Sequence, residues 1–549
     1  MRLSKSFALP LRHPPGYEVI PTCITLQDSD ARQIYLHDET DMSRPHLLFQ
    51  QLIESEFDFQ RVDDISWIES CDDEEHEILL GGLAELSMSI PSAALAKLLH
   101  RVLARQHHLE GENLTLAEVQ VLSQMYSSRG SSCPARHLTL AILNADGSET
   151  ALHESVELLI SDPLQNSNDI AVALAPFFRQ QHSFAVDALF PRLFDGLDNL
   201  AAAPSILDLA NYLCREDRVD EHPAEDRKEA LLAFFGNLIQ RLAVLQERPE
   251  PPDQEDSARY RLQIQESISL AVSMCDAIAL LQMEEATGKL FQALELKHRR
   301  LRTEAAAALA SLGEEGGAEV LVQLAAEPIA RLRVLKYCEE LGISERVPDE
   351  FCTLAARAES ELSLWLSQPP QFGIPPMKCE LIDERTLYWP GYEELVDCFL
   401  FRYEYQFQDG AYSNIGIAGP LTQSLAVDLS DLPPEDIYAV FAGYDAEHEE
   451  MVEYEMSELD EYHRADVSRL ERRLRDHGYY DIETLRFGSF FGERYIIAKA
   501  SLDGASGMMI TDSNELMLCP TTSGSQRSLG VNEAAFLYRG RKLIRTFNA

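Results

Sequence analysis

A helical unit of about 30 residues recurs in the middle of the chain, and this repeat is the strongest constraint that the sequence places on the fold. The stretch HRRLRTEAAAALASLGEEGGAEVLVQLAAE (298–327) has the pattern of a helix, a glycine break and a second helix. A leucine near the end of the first helix recurs as Leu281, Leu312 and Leu341. One helix pair cannot bury its apolar stripe alone, whereas stacked pairs share a continuous core. We therefore predict three stacked helix pairs over residues 267–360.

The central unit resembles HEAT repeats of the short type found in phycobilisome lyases and in many bacterial scaffolds. That pattern has a basic residue, then A-x-x-A-L-x-x-L-G, then a second helix of the form A-x-x-x-L-x-x-L. The matching residues here are Arg302, Ala305, Ala308, Leu309, Leu312 and Gly313, followed by Ala318, Leu321 and Leu324. The resemblance implies a solenoid that presents a surface to a protein partner or, as an alternative, bilin lyase-like handling of a chromophore. The motif is degenerate, so it specifies architecture better than activity.

The regions before these repeats divide into two parts. Apolar residues three and four positions apart extend the predicted HEAT-like array to residues 151–360, most clearly over 267–360. Residues 1–150 are mixed, and they form either a separate domain or the cap of the array. Their patterns predict a strand at EVIPTCITL, a helix at PSAALAKLLHRVLARQHHL, a helix capped by Thr115 and ended by Gly130, and a hairpin at Asp146-Gly147.

The pattern changes after a proline-rich segment, residues 361–376, which we interpret as a linker. Phe399–Phe407 alternates with the period of a strand and precedes an Asp409-Gly410 turn signal. Further strands are predicted at LRFGSFFGERYIIAKASL, GMMITDSNELMLC and AAFLYRGRKLIRTF, and helices at PPEDIYAVFAGYDAEHEE and SELDEYHRADVSRLERRLRDHG. The predicted fold class is therefore mainly α, with a helical solenoid in the middle and a C-terminal α+β domain on an antiparallel sheet at residues 377–549.

The charge of the chain restricts its partners. Ninety-one Asp and Glu against 47 Lys and Arg give a formal net charge of −44. Such a surface repels the phosphates of nucleic acids and anionic membranes. We therefore expect a protein partner whose binding surface is either basic or neutral, with no nucleic acid and no membrane.

The N-terminal apolar run is interrupted, and no apolar stretch is long enough to span a bilayer, so we expect a cytoplasmic protein. The ten cysteines are scattered without a C-x-x-C pair, and we interpret them as free thiols.

No recognisable catalytic motif accompanies this architecture. Residues 403–463 contain no Lys or Arg, and the most acidic part, DAEHEEMVEYE, lacks the second histidine of a zinc protease motif because Val452 follows His448 at that spacing. No G-x-S-x-G, Walker or dinucleotide-binding loop is present. The sequence therefore predicts neither a metal, nor a cofactor, nor catalytic residues.

These observations favour a non-catalytic scaffold or adaptor for protein–protein interaction. The candidate partner-binding residues are the basic pair and the acidic cluster Arg299, Arg300, Glu447, His448, Glu449 and Glu450. The alternative is an enzyme of unknown reaction with its site in the C-terminal domain. Its candidate groups are Asp428, Asp436, His448 and Glu449.

Overall fold

The computed structural model describes residues 43–548 except 63, 87, 109–112, 131–132, 180–183, 408–409, 447–451, 455 and 521–528. The chain divides into two compact units, with the border between Ser205 and Ile206. The predicted strand at EVIPTCITL lies outside the described residues.

The first unit is helical throughout its described part. Its helices are α1 Arg44–Glu54, α2 Asp73–Leu86, α3 Ser92–His108, α4 Leu116–Ser128, α5 Ala135–Asp146, α6 Glu149–Ser161, α7 Ser167–Leu174 and α8 Val186–Leu189. Helix α5 packs against α3, α4, α6 and α7, and almost all of its side chains are buried. It is the core helix of this unit.

One helix of the first unit begins as predicted, whereas the predicted hairpin is wrong. Helix α4 begins with a capping box, in which Thr115 and Glu118 satisfy each other's backbone amides.

Asp146-Gly147 joins two helices instead of two strands. Gly147 ends α5 with φ 71°, and the Ser148 side chain caps α6. A left-handed glycine serves a helix C-terminus as well as a hairpin turn, so the dipeptide alone does not distinguish the two structures.

An array of helices follows, and its first helix begins just before the border between the two units. The helices are α9 Ala203–Arg215, α10 Lys228–Glu247, α11 Gln254–Leu280, α12 Thr287–Leu294, α13 Arg299–Ser311, α14 Glu315–Gln323, α15 Pro328–Glu340 and α16 Leu354–Leu366. The first helices of successive pairs, α11, α13 and α15, pack side by side, and α12, α14 and α16 pack against them. Small residues permit this spacing, because a Cβ on Gly317 would meet Leu309 Cβ at 2.2 Å. Helix α16 extends to Leu366, beyond the predicted end of the repeats.

Arginines join neighbouring helix pairs of the array. Arg331 is buried and donates to the carbonyl oxygens of Ala325 and Ala356, and its guanidinium lies 2.6 Å from a carboxylate oxygen of Glu359. Arg333 forms an ion pair with Glu304 of the preceding pair. Bidentate, planar donors suit such junctions better than lysine.

Beyond the array the chain forms two successive α/β modules. The first module comprises α16, the strands β1 Lys378–Tyr388, β2 Leu395–Phe407, β3 Gly410–Ala418 and β4 Gln423–Ser424, and α17 Pro434–Asp445. The strands form an antiparallel sheet in the order β1-β2-β3-β4. Alternate residues of β2 enter different cores. Phe401 and Tyr403 pack with Leu362 of α16, whereas Leu400 packs in the cluster that contains α17. The sheet is therefore covered by a helix on each face.

The second module repeats this arrangement. It comprises β5 Val452–Tyr454, α18 Glu461–Asp476, β6 Tyr480–Phe490, β7 Glu493–Leu502, β8 Ala505–Thr511, β9 Leu516–Pro520 and α19 Val531–Phe547. Its strands form a second antiparallel sheet in the order β5-β6-β7-β8-β9. Leu470 and Leu474 of α18 cover one face with Ile496 and Ala498, whereas Ile497 packs in the cluster that contains α19.

Helices α17 and α19 pack directly against each other, and one core joins both helices with both sheets. At their crossing, a glycine of each helix lies against the backbone of the other helix. A Cβ on Gly443 would meet Phe536 O at 1.9 Å, and a Cβ on Gly540 would meet Ala439 O at 1.6 Å. In each helix the two contacting residues are four positions apart, as an approximate two-fold axis between the helices requires.

The predicted antiparallel α+β region is confirmed, with two corrections. Its strands form two sheets instead of one. The segment AAFLYRGRKLIRTF is part of helix α19 and not a strand. Its aromatic and aliphatic residues favour a strand locally, but Ala534, Ala535 and Gly540 provide the small surface that the crossing with α17 needs. Among the described residues, no helix combines the length and the apolar character needed to cross a membrane.

Candidate functional site

A cleft of about 540 Å³ lies beside β3 of the first module. Its walls come from four segments. Trp365 and Phe372 stand at and just after the end of α16, Tyr403 belongs to β2, Ala411–Asn414 form the first half of β3, and the last segment consists of Ser424 of β4 with Leu425, Ala426 and Asp428 after it. Clefts of about 300–1,000 Å³ with aromatic walls and few polar groups are typical ligand-binding sites. This cleft is therefore the candidate functional site.

Stacked aromatic rings form one wall of the cleft. The ring of Phe372 stacks on that of Tyr405 with 4.4 Å between the centroids, and it contacts Tyr412 at 5.5 Å and Tyr403 at 6.0 Å. Alternation along β2 and β3 places these tyrosines on the same face of the sheet, the face that α16 covers. The Tyr405 hydroxyl donates to Ile374 O at 2.9 Å, which holds the segment carrying Phe372 against the sheet.

Internal hydrogen bonds fix the polar groups of the cleft. The hydroxyls of Tyr403 and Ser424 are 2.7 Å apart, and Ser424 also donates to Ile415 O at 3.1 Å. Asn414 is 1% exposed, and its Nδ2 donates to Leu425 O at 2.9 Å and to Tyr412 Oη at 3.1 Å. These contacts preorganise the cleft.

The buried hydroxyls of Tyr403 and Tyr405 are neutral at physiological pH. Burial raises the pKa of Tyr405 to about 12, and it raises the pKa of Tyr403 further above its ordinary value. A phenol with a raised pKa is a poor general base at neutral pH. Among the lining residues that the structure describes, Asp428 is the one ionisable residue besides tyrosines, and it accepts a hydrogen bond from the Ser430 amide at 2.9 Å. These described groups are suited to binding and do not include a pair of acid and base groups.

The residues singled out in the sequence do not come together in this cleft. Arg299 and Arg300 lie exposed in the first turn of α13, where Arg299 forms an ion pair with Glu327 at 3.0 Å. Glu447, His448, Glu449 and Glu450 lie outside the described residues.

Of the groups named for an enzyme, Asp428 lines the cleft and Asp436 does not. Asp436 instead accepts two hydrogen bonds of 2.6 Å from Arg541 and so ties α17 to α19.

A second set of charged groups lies within the helical array. Asp276 of α11 pairs with Arg215, and Glu304 of α13 bonds to both Arg333 and Tyr337 of α15. Burial raises the pKa of Asp276 to about 6, although the Arg215 charge opposes the shift. A cavity of about 210 Å³ lies beside these groups. Because each of these charges has a partner on a neighbouring helix, the set holds the array together.

The aromatic residues of the cleft were missed as a site in the sequence, although part of their signal is visible there. Five aromatic residues alternate along β2 and so lie on one face of the strand, namely Phe399, Phe401, Tyr403, Tyr405 and Phe407. Phe372, by contrast, lies in the predicted linker, and only the fold brings it to these aromatic residues.

Comparison with known proteins gives no information on this site. No protein-family model matches the sequence, and neither the curated proteins nor the solved structures contain a significant match. In the part of the chain that the structure describes, no group of three or more His, Cys, Asp or Glu side chains is arranged to hold a metal ion.

Proposed function

We propose that this protein is a non-catalytic protein–protein interaction protein, and that the cleft beside β3 binds an extended segment of a partner polypeptide. The observation that carries the proposal is the preformed aromatic wall of Phe372, Tyr403 and Tyr412. It lies beside residues 411–414 of β3, and on the side away from β2 no strand in the described part of the chain pairs with them. Aromatic side chains are enriched at the centres of protein interfaces, because they bury a large area with few rotatable bonds. The helical array, interpreted as HEAT-like repeats, adds a second extended surface for assembly.

The chemistry of the partner segment follows from the lining and from the charge around it. The aromatic wall accepts a large apolar or aromatic side chain. Asp428 is an acidic lining residue, and residues 403–463 contain no Lys or Arg within a chain of net charge −44. Lysine or arginine beside the apolar anchor therefore suits this surface, and an acidic segment is repelled.

Selection from a random peptide library tests this proposal. A phage-displayed library of 12-residue peptides is selected on the full-length protein near physiological salt. We expect enrichment of peptides with a large apolar or aromatic residue next to Lys or Arg. Absence of any enriched sequence over several rounds contradicts the proposal.

Variants then locate the binding site of the enriched peptides. Replacing Tyr412 by Ala removes one ring of the wall and should weaken binding about tenfold or more, because central aromatic residues contribute more than about 1 kcal/mol. Tyr480→Ala is the matched control, because Tyr480 is an exposed tyrosine on β6 in the other sheet. Fluorescence anisotropy of a labelled peptide measures both affinities, and thermal melting confirms that both variants fold. If both variants bind the peptide with equally reduced affinity, the peptide does not bind in the cleft beside β3.

A further inference from the structure

One hairpin of each module has the same strand register, so each hairpin provides a template for the other. Phe407 pairs with Gly410 across the β2–β3 hairpin, and Leu502 pairs with Ala505 across the β7–β8 hairpin, so two residues separate the paired ends in both cases. A shift of 95 positions therefore superposes the two hairpins.

The packing agrees with this shift. Phe401, Tyr403 and Tyr405 lie under α16, and their equivalents Ile496, Ala498 and Ala500 lie under α18. Leu400 and Ile415 face the shared core, as do Tyr495 and Ile510.

The modules differ at the edge that borders the cleft. In the second module, β9 pairs with β8 along its whole length from Gly507 to Thr511. In the first module, β4 pairs only with Gly416 and Ile417 of β3. The equivalents of Gly507–Ile510 are residues 412–415, and Ala411–Asn414 line the cleft. Among the described residues, no strand pairs with this part of β3 on the side away from β2.

The backbone of β3 is oriented to accept another strand. Met377 N donates to Glu404 O at 2.8 Å, so the peptide groups of Glu404 point away from β3. Ser413 is paired with Glu404, and in an antiparallel ladder its own N–H and C=O therefore point away from β2, towards the open edge. Ala411 has the same orientation, because it is two residues away. Ile415 continues the pattern, and its amide and carbonyl are held by the side chains of Asn414 and Ser424.

We propose that the bound segment adds to β3 as an antiparallel strand, at the place that β9 occupies on β8. This inference rests on the proposed function and specifies how the segment binds. The backbone groups of Ala411 and Ser413 form the ladder. Every second side chain of the segment, opposite Tyr412 and Asn414, faces the aromatic wall. The recognised ligand is thus an extended segment with large apolar side chains at alternate positions.

The charge of the chain indicates that a different protein, and not a second copy of this chain, supplies the strand that pairs with β3. Two copies with a net charge of −44 repel each other, and residues 403–463 offer no basic group to offset that repulsion. A segment of a different protein with basic residues beside its apolar anchors meets attraction instead.

The test compares Ser413→Pro with Ser413→Ala in the full-length protein. Proline removes the N–H that points to the open edge and leaves the pairing with β2 intact, whereas alanine keeps the N–H. The probe is the tightest peptide from the random library. We expect Ser413→Pro to bind it about tenfold or more weakly than Ser413→Ala does, with equal thermal melting of the two variants.

A second measurement does not depend on how the proline variant folds. Single N-methylation is introduced at successive residues of the peptide, and binding to the unmodified protein is measured. We expect losses of about tenfold at alternate positions, because only every second peptide amide faces β3. Uniform effects along the peptide, or equal affinities of Ser413→Pro and Ser413→Ala, overturn strand addition and leave the proposed function in place.

Two other outcomes are distinguishable from these. If the library yields no peptide, the proposed function fails and strand addition fails with it. If sedimentation shows a dimer that forms with Ser413→Ala and is lost with Ser413→Pro, a second copy is the occupant, and the assignment to a different protein is overturned.

Discussion

The two α/β modules have equivalent strands up to β3 and β8, and they differ in how the chain continues after these strands. At the end of β8, Asp512 is completely buried, and its carboxylate accepts hydrogen bonds of 2.7 Å from the amides of Asn514 and Glu515. These bonds close a tight turn, so β9 follows at once and covers β8. At the equivalent position the first module has the apolar Ile417. Without such a cap, the chain continues through Gly419 and Pro420 before the two-residue β4.

This difference explains why β8 is paired along its edge by β9, whereas the first half of β3 is not paired by β4. After β4 the chain turns inward, and Val427 and Leu429 enter the shared core instead of continuing along β3. An uncovered edge strand is a hazard for aggregation unless it is short or protected. Here the open part is about five residues long and lies beside a wall of aromatic rings, which suits controlled pairing with a ligand.

The largest effect is expected from a substitution at the crossing of α17 and α19, the contact that joins the two modules. Gly540→Val places a side chain where Ala439 O lies 1.6 Å from a Cβ, against backbone that cannot move aside. We expect a loss of at least about 3 kcal/mol of stability, because severe overpacking exceeds the usual range for core substitutions. Chemical denaturation, monitored by circular dichroism, measures the loss.

Gly288→Ala is the control for this substitution. Gly288 lies exposed in α12, and no atom lies within 4 Å of the position of an added Cβ. Alanine should stabilise that helix by about 0.5–1 kcal/mol. If Gly540→Val is as stable as the unmodified protein, α17 and α19 do not cross as described.

A smaller effect should be confined to the second module. Asp512 also accepts from the Tyr538 hydroxyl at 2.7 Å and lies 2.7 Å from Lys542 Nζ, so it ties the turn to α19. Asp512→Asn removes the charge that Lys542 and two amides stabilise. We expect a loss of about 3 kcal/mol at neutral pH, as is usual when one partner of a buried ion pair is removed. Ile417→Val at the equivalent position should cost only about 1 kcal/mol.

The pH dependence gives a second readout for Asp512. Burial opposes ionisation, but hydrogen bonds from Lys542, Tyr538 and the backbone outweigh it and lower the pKa of Asp512 to about 2 from an ordinary 3.8. A lowered pKa stabilises the folded protein above pH 3.8, and this contribution is lost as the pH falls towards 2. Denaturation over this range should show a loss roughly 2 kcal/mol larger in the unmodified protein than in Asp512→Asn. Parallel pH profiles contradict the role of this carboxylate.

The sequence allowed much of the fold to be predicted, for a local reason. Paired helices have apolar residues at a regular spacing, and caps such as Thr115 and turn glycines mark their ends. Helix α19 was wrongly predicted as a strand because its conformation is decided by the crossing at Gly540, a contact between distant parts of the chain. Hairpins and helix ends also share the same glycine geometry, which explains the error at Asp146-Gly147.

The candidate site was harder to predict than the fold. The aromatic alternation of β2 is local and visible, but the cleft also needs Phe372 from the predicted linker and Asp428 from the segment after β4. Its central feature is a strand that does not continue where its counterpart does. That feature becomes apparent only when the two modules are compared in register.

The smallest expected effect concerns how the short β4 is held. Its second residue, Ser424, bonds to Tyr403 and Ile415 through its side chain, whereas its equivalent Leu516 belongs to a full ladder. Ser424→Ala leaves the buried Tyr403 hydroxyl without that partner and should cost about 1 kcal/mol.

Tyr403→Phe removes the other hydroxyl, and the double variant completes a mutant cycle measured by denaturation. If the two hydroxyls serve mainly each other, the double variant is about 1 kcal/mol more stable than the sum of the single effects predicts. Strict additivity means instead that the contact between β4 and β2 is incidental. In that case Ser424 is held mainly by Ile415, and the end of β4 depends on β3 alone.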